Sequence, residues 1–334
     1  MPETFQTKDA VELAVMERSN FIESRHIGSA IVVKDGKTLI DLGDTSALVL
    51  PRSTLKPLQA VAVLRAGVPL FGPEVALASA SHVGSKWQMS VVFEMLKKAG
   101  VKIDDLQCPA AWPEDVQNRA EFIAAGFQKS PLAHMCSGKH ASFLWACKEN
   151  GWPLDTYLQK KHPLQRHIKA TIEEFSDEVI GFTAVDGCGA PVPALSLKGL
   201  ATAMGRLAAA PRSHAMDARV ATVATTIMDY PEAIDGEGYP DAIVIEKLGI
   251  VAKSGVEGMY IAACEDGTAV AVKVLDGNNR VAHLTGISLL AGAGAIDVDK
   301  ARKVLEEVVP PIMGGNKVVG HLVPSSKVLA NLGA

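Results

Sequence analysis

Two hairpins at opposite ends of the chain constrain its fold more than any other feature. Near the N-terminus, SAIVVKDGKTLIDLG (Ser29–Gly43) is an apolar run, an Asp35-Gly36 pair and a second apolar run. Asp-Gly tolerates the positive φ of a tight turn, so two antiparallel strands are expected. Far downstream, GMYIAACEDGTAVAVKVLDG (Gly258–Gly277) repeats the design. There Ala269, Ala271 and Lys273 alternate with Val270, Val272 and Val274, the period of a half-buried strand. Between the hairpins the pattern turns helical. Thr54–Gly67 and Ser90–Gly100 carry apolar residues at helical spacing and end in glycine, and Gly138–Gly151, His162–Ser176, Asp217–Pro231 and Asp297–Pro311 are further helices.

Strands at both ends with helices between predict a mixed α/β (α+β) fold. One antiparallel sheet is built from both termini, with helical layers and a helical insertion, and the active cleft lies between the two parts. The sheet is expected from about 11–50 and 240–325, and the mainly helical part from about 54–235. No repeat, low-complexity tract or linker divides the chain, so residues 1–334 are read as a single catalytic unit.

The totals exclude several classes. Hydrophobic residues make up 48% and charged residues 21%, a globular balance, and the net charge of −4 comes with no basic run for a nucleic-acid surface. The N-terminus shows no secretory pattern, and the longest apolar runs, such as Leu284–Ile296, are too short and glycine-rich to span a bilayer. A cytoplasmic protein without membrane partners is expected. Five cysteines (Cys108, Cys136, Cys147, Cys188, Cys264) are too sparse for a disulfide framework and read as free thiols or metal ligands.

Four stretches carry chemistry. In VLPRSTLKPLQAV (Val49–Val61), Ser53 and Lys56 stand three apart, so on a helix hydroxyl and amine share a face. A serine becomes a good nucleophile when a base takes its proton, and a lysine serves if desolvation or nearby cations lower its pKa. Read alone, the pair is better taken as an N-cap serine and a snorkelling lysine. In VAKSGVEGMY, Lys253-Ser254-Gly255 stands before the second hairpin, and with Ser-x-x-Lys it resembles the paired signature of β-lactamases and penicillin-binding proteins. Ser81, in ASASHVGS, suits a proton relay or a plain turn. In HMCSGKHAS and VDGCGAP, Cys136 and Cys188 could bind zinc with Lys139, His140 or Asp186 nearby, or be buried free thiols.

Together these motifs resemble the Rhizobium etli-type (class 3) L-asparaginases, the L-asparaginase II family. The resemblance runs from about Val11 to Val323. It rests on ERSNFIESRHIGSAIVV, PRSTLKPLQA, ASASH, CSGKH, DGCGAP, DGEGYPDA and VAKSGVEG in that order. It implies a fold similar to serine β-lactamases and glutaminases, a homodimer, and hydrolysis of L-asparagine to L-aspartate and ammonia. It implies Ser53 with Lys56 as one serine–lysine tandem and Ser81 with Lys253 as the second. It also implies Zn2+ on Cys136, Lys139 and Cys188, supporting the site rather than activating water. Arg52, His140 and Asp186 are the candidates for holding the substrate's carboxylate and amine. Ser85 stands where the family often has an acid. A glutaminase, a β-lactamase or penicillin-binding serine hydrolase, and a non-catalytic zinc or amino-acid-binding protein are the alternatives.

Overall fold

The structure is a computed structural model that describes residues 1–213 and 215–331. Its centre is an eight-stranded sheet, antiparallel throughout, drawn from both ends of the chain. The N-terminal part supplies β1 (Val11–Arg18), β2 (Phe21–Lys34) and β3 (Lys37–Leu42). The C-terminal part supplies β4 (Val251–Gly255), β5 (Met259–Ala263), β6 (Thr268–Val274), β7 (Ile312–Gly314) and β8 (Lys317–Pro324). The order is β7-β8-β1-β2-β6-β5-β4. The long β2 pairs with β1 along its first half, and β3 takes over that side along its second.

The first hairpin closes at Asp35 (φ 49°) and Gly36 (φ 74°), two successive residues in the left-handed region. This is the turn that matches the right-handed twist of the strands it joins. In the second hairpin the alternation is present, but every residue of β6 is buried. The expectation of a half-buried strand is therefore corrected. Helices cover both faces: at Gly205 a side chain would touch Ala269 Cβ at 3.5 Å, and at Gly286 it would touch Val270 Cγ1 at 3.5 Å. A strand sandwiched this way needs mainly apolar residues on both sides.

Five helices position the site. They are α1 (Lys56–Arg65), α2 (Ser137–Asn150), α3 (Leu197–Ala209), α4 (Pro240–Leu248) and α5 (Ala282–Gly292). α3 and α5 are the two that clasp the sheet. α5 lacks the amphipathic pattern of a surface helix, because it is buried nearly all round, and so the spacing of apolar residues does not announce it, whereas α3 keeps a narrow polar stripe through Lys198, Thr202 and Arg206. α2 approaches its neighbours closely. A Cβ added at Gly138 would lie 2.4 Å from the carbonyl oxygen of Leu77, which explains a glycine inside the helix. Ser85 acts locally as a helix cap. Its hydroxyl accepts from the N–H of Gln88 (3.1 Å), and its own N–H donates to Gln88 Oε1 (3.0 Å), so it starts the helix Lys86–Ala99. Among the described residues no helix is long and apolar enough to cross a membrane.

Candidate active site

Ser53 lies in a 3-10 turn, Arg52–Leu55, that leads directly into α1. Arg52 before it holds a left-handed φ of 54°, a sparsely populated backbone for a residue with a side chain. Pro57 follows Lys56 at the start of α1, where its missing N–H is tolerated. β4 lies against this turn: a side chain on Gly255 would meet Pro51 O at 3.2 Å and Thr54 Cγ2 at 3.3 Å. The fold thus brings the Ser-x-x-Lys turn and the Lys-Ser-Gly strand side by side, although about 200 residues separate them in sequence.

Lys56 is 1% exposed. Its Nζ donates to the Ala80 carbonyl (2.5 Å) and to Ser81 Oγ (2.8 Å). Burial pushes its pKa down from the ordinary lysine value, and the charges of Lys139 and Lys253 push it the same way. No hydrogen bond engages the Ser53 hydroxyl among the described residues. Ser81 is therefore bonded to Lys56, and no hydrogen bond joins it to Lys253 among the described residues.

Backbone bonds hold Ser81 from both sides. Its N–H donates to Ile234 O (2.8 Å), that of His82 to Met135 O (3.1 Å) and that of Val83 to Asp235 O (2.9 Å). The buried His82 ring locks this loop. Nδ1 accepts from the Gly84 N–H (3.1 Å), so the ring proton sits on Nε2 and donates to Ser137 Oγ (2.7 Å). Ser137 in turn donates to Leu132 O (2.9 Å). Burial, reinforced by the Lys56 and His134 charges, lowers the His82 pKa from 6.5 to about 3.

That shift makes stability depend on acid in a stated direction. Unfolded His82 takes a proton near pH 6.5 and folded His82 only near 3, so its contribution is complete above 6.5 and is lost progressively as pH falls toward 3. Between pH 7 and 4.5 the native chain is expected to lose about 2–3 kcal/mol more than His82→Gln. Urea unfolding of both proteins at the two pH values measures this, and equal losses would refute it.

Lys253 is also 1% exposed. Its Nζ bonds Asp241 Oδ2 (3.2 Å) and its neighbour's carbonyl, Ser254 O (2.9 Å). The same Oδ2 accepts from the N–H and hydroxyl of Ser254, both at 2.8 Å, and Oδ1 bonds His283 Nε2 (2.9 Å). Burial works against a charged Asp241, but Lys253 and His283 outweigh it and hold the carboxyl well below its usual range. Asp235, whose carboxylate accepts from the Asp241 and Ala242 N–H groups, is raised to about 7 by burial and by the Asp241 charge.

A third cluster joins the same centre. Cys136 caps α2 and Lys139 stands one turn inside it. Lys139 Nζ lies 3.1 Å from Cys188 Sγ. The adjacent Cys188 thiol, with Lys56 and Lys139 nearby, outweighs burial and holds Cys136 well below the usual thiol pKa. Burial pulls Lys139 down, but Cys188, Cys136 and Asp186 outweigh it and leave it above the usual lysine value. Asp186 accepts from Arg52 Nε at 2.7 Å, so an ion pair runs from the neighbour of Ser53 to a residue two before Cys188. His140 Nδ1 pairs with the Tyr157 hydroxyl (2.7 Å), while its Nε2 is buried without a hydrogen-bond partner and faces Cys188. Burial lowers His140 to about 4, so it is neutral.

Two sulfurs and an amine in one buried cluster suit Zn2+, a borderline-soft ion that prefers four such donors, and the unpartnered His140 Nε2 is a polar atom such a group would satisfy. A lysine ligand gives up its proton to the metal. Among the described residues no three His, Cys, Asp or Glu side chains converge as a metal site.

Sequence reasoning missed Asp235, Asp241 and His283. The two aspartates were legible only as part of DGEGYPDA, with no sign of what they would face. A cavity of about 380 Å³ opens beside the Ser53 turn, lined by Leu48, Leu50, Arg52, Phe182, Glu257 and Lys273. It reaches Arg52 but none of Ser53, Lys56, Ser81 and Lys253.

The arrangement is that of a mixed α/β protein with two serines and two buried lysines grouped where a helix start meets a sheet edge. Family comparison is specific: the model of L-asparaginase II matches residues 14–324. The chain belongs to that family, a family of amidohydrolases. No curated protein matches. Among solved structures, the chain is similar to Mglu in its native form in 4.3 M NaCl, at 15% identity and a TM-score of 0.34, covering 87% of this chain and 63% of that one. Mglu in its tris and glutamate form gives 14% identity and a TM-score of 0.33, covering 91% and 65%. The chain thus spans just under two thirds of the length of these structures.

Proposed function

We propose that this protein is an L-asparaginase that releases ammonia from the side-chain amide of L-asparagine through a serine ester. The observation that carries the reading is the buried Lys56 amine, bonded to Ser81 and one turn from an unengaged Ser53 hydroxyl, in a chain of the L-asparaginase II family. Neutral Lys56 takes the Ser53 proton, and Ser53 Oγ attacks the amide carbon. Backbone N–H groups hold the oxyanion, that of Ser53 among them. The proton passes from Lys56 through Ser81 to the departing nitrogen as the C–N bond breaks. Water then attacks the β-aspartyl ester, giving L-aspartate and restoring Ser53. Lys253 supplies positive charge to this centre, and Arg52 and Asp186 meet the substrate's carboxylate and amine at the cavity side. His140, turned to Tyr157 and the sulfurs, serves the metal cluster better than the substrate.

Cys136, Lys139 and Cys188 would hold Zn2+. When bound it supplies a fixed positive charge that shapes the amino-acid pocket. The reading also carries a fold likeness to serine β-lactamases and penicillin-binding proteins, in which a Ser-x-x-Lys helix start stands beside a Lys-Ser-Gly edge strand.

Ammonia release by the full-length protein from L-asparagine and from L-glutamine tests the reading. Turnover of L-asparagine is expected, with a kcat/KM exceeding that on glutamine by about tenfold or more, since one methylene in a pocket is worth ~1–3 kcal/mol. No release from L-asparagine at any pH or with added Zn2+ would end the reading.

A further inference from the structure

We propose that the segment from Asp235 to Asp241 is a clamp that fixes the reaction centre, and that Asp241 is a positioning residue acting through Lys253. The inference rests on the amidohydrolase reading and assigns work to a stretch that reading leaves idle. One end of the segment grips the Ser81 loop, because the carbonyls of Ile234 and Asp235 accept the N–H groups of Ser81 and Val83. The Asp235 carboxylate then ties the segment to the start of α4: it accepts from Gly236 N–H (2.9 Å), Asp241 N–H (2.8 Å) and Ala242 N–H (3.1 Å). The last two are first-turn amides with no partner inside the helix, and a carboxylate suits the positive end of the helix dipole.

From that anchored turn Asp241 projects onto β4. It is fully buried and makes four contacts: Lys253 Nζ, the N–H and hydroxyl of Ser254, and His283 Nε2. A buried carboxylate is tolerated only when paired and hydrogen-bonded this completely. Ser81 and Lys253 share no hydrogen bond, yet each is fixed to the same short span. Their separation is therefore set by that span and its two aspartates rather than by any direct bond. Asp241 also fixes the backbone of Ser254, the residue before Gly255, where β4 abuts the Ser53 turn.

The experiment compares the native protein with Asp241→Asn, Asp241→Glu and Asp235→Asn in steady-state L-asparagine hydrolysis, with far-UV circular dichroism and thermal melting on each. Asp241→Asn keeps the shape and removes the charge. It is expected to lower kcat 30- to 300-fold with KM changed less than threefold, since Lys253 is displaced in the transition state while the substrate pocket is intact. Asp241→Glu, which restores the charge, is expected to recover at least fivefold of that loss. A purely structural role would lower melting temperature and active fraction together and would gain nothing from the glutamate. If Asp241→Asn does not fold, Asp235→Asn decides: a fall in kcat of about five- to twentyfold at unchanged KM supports the clamp. Native kcat in either folded variant overturns it, as does a loss confined to KM. A native chain inactive on L-asparagine brings down the amidohydrolase reading and the clamp with it, whereas an active native chain with an equally active Asp241→Asn brings down the clamp alone.

Discussion

Ser53→Ala is expected to reduce ammonia release from L-asparagine by about 10⁴-fold or more, the scale on which removing a nucleophile acts. The loss should come without unfolding. The Ser53 hydroxyl makes no hydrogen bond among the described residues, so its deletion orphans no partner, and the melting transition should move by no more than ~1 kcal/mol of stability. The result is sharpened by a competitor. Ser81 is the hydroxyl that Lys56 touches, and on distance alone it has the better claim to be activated. Two features favour Ser53. It sits on the strained turn at the start of α1, beside the cavity that Arg52 lines, whereas Ser81 is tied through its backbone to Ile234 and its neighbours to Met135 and Asp235. A relay must be fixed, while a nucleophile must have a free lone pair facing substrate. Ser81→Ala should accordingly keep measurable turnover, reduced ~10²- to 10³-fold. Trapping with hydroxylamine should yield β-aspartyl hydroxamate from the native protein and from Ser81→Ala, but not from Ser53→Ala. Hydroxamate from Ser53→Ala would make Ser81 the nucleophile.

Much of the architecture was legible because it is encoded locally. Asp35-Gly36 announces its turn by a dipeptide suited to two left-handed residues. His162, Asp217 and Asp297 each cap a helix with their own side chain, whereas Ser85 caps a helix that starts at Lys86, four residues before the Ser90 start expected. Interior features were less legible. α5 faces protein on nearly every side, so no polar face marks it. The site divides in the same way. Ser53 and Lys56 are visible as a pair because helix geometry relates neighbours three apart. The bond from Lys56 to Ser81, the pairing of Lys253 with Asp241 and the ion pair between Arg52 and Asp186 join residues 25, 12 and 134 positions apart. Such partnerships depend on which backbone the fold brings past which, and a motif records only that both residues exist.

Lys56 offers the second large effect, and three substitutions separate its functions. Lys56→Met keeps the long apolar stem and removes the amine, and kcat is expected to fall ~10³- to 10⁴-fold through loss of the base. Stability should change little, because two costs oppose each other. The native chain desolvates an amine completely, which methionine avoids. Methionine, however, leaves Ala80 O and Ser81 Oγ without their donor, at ~1–3 kcal/mol. Lys56→Arg distinguishes proton transfer from charge. Guanidinium stays protonated at any working pH, so an arginine supplies the charge and cannot act as the base. If Lys56 is the base, Lys56→Arg is as inactive as Lys56→Met. If the site needs only a cation there, the arginine variant retains most of the native kcat and Lys56→Ala does not. The pH profile follows from the same lowering. A base works when deprotonated, so the native rate rises with pH through the Lys56 pKa. Because burial lowers that pKa from 10.5, the rise is complete below the pH at which an exposed lysine would titrate. The residual rate of Lys56→Met should lack this limb, and a native profile flat from pH 6 to 10 would remove lysine as the base.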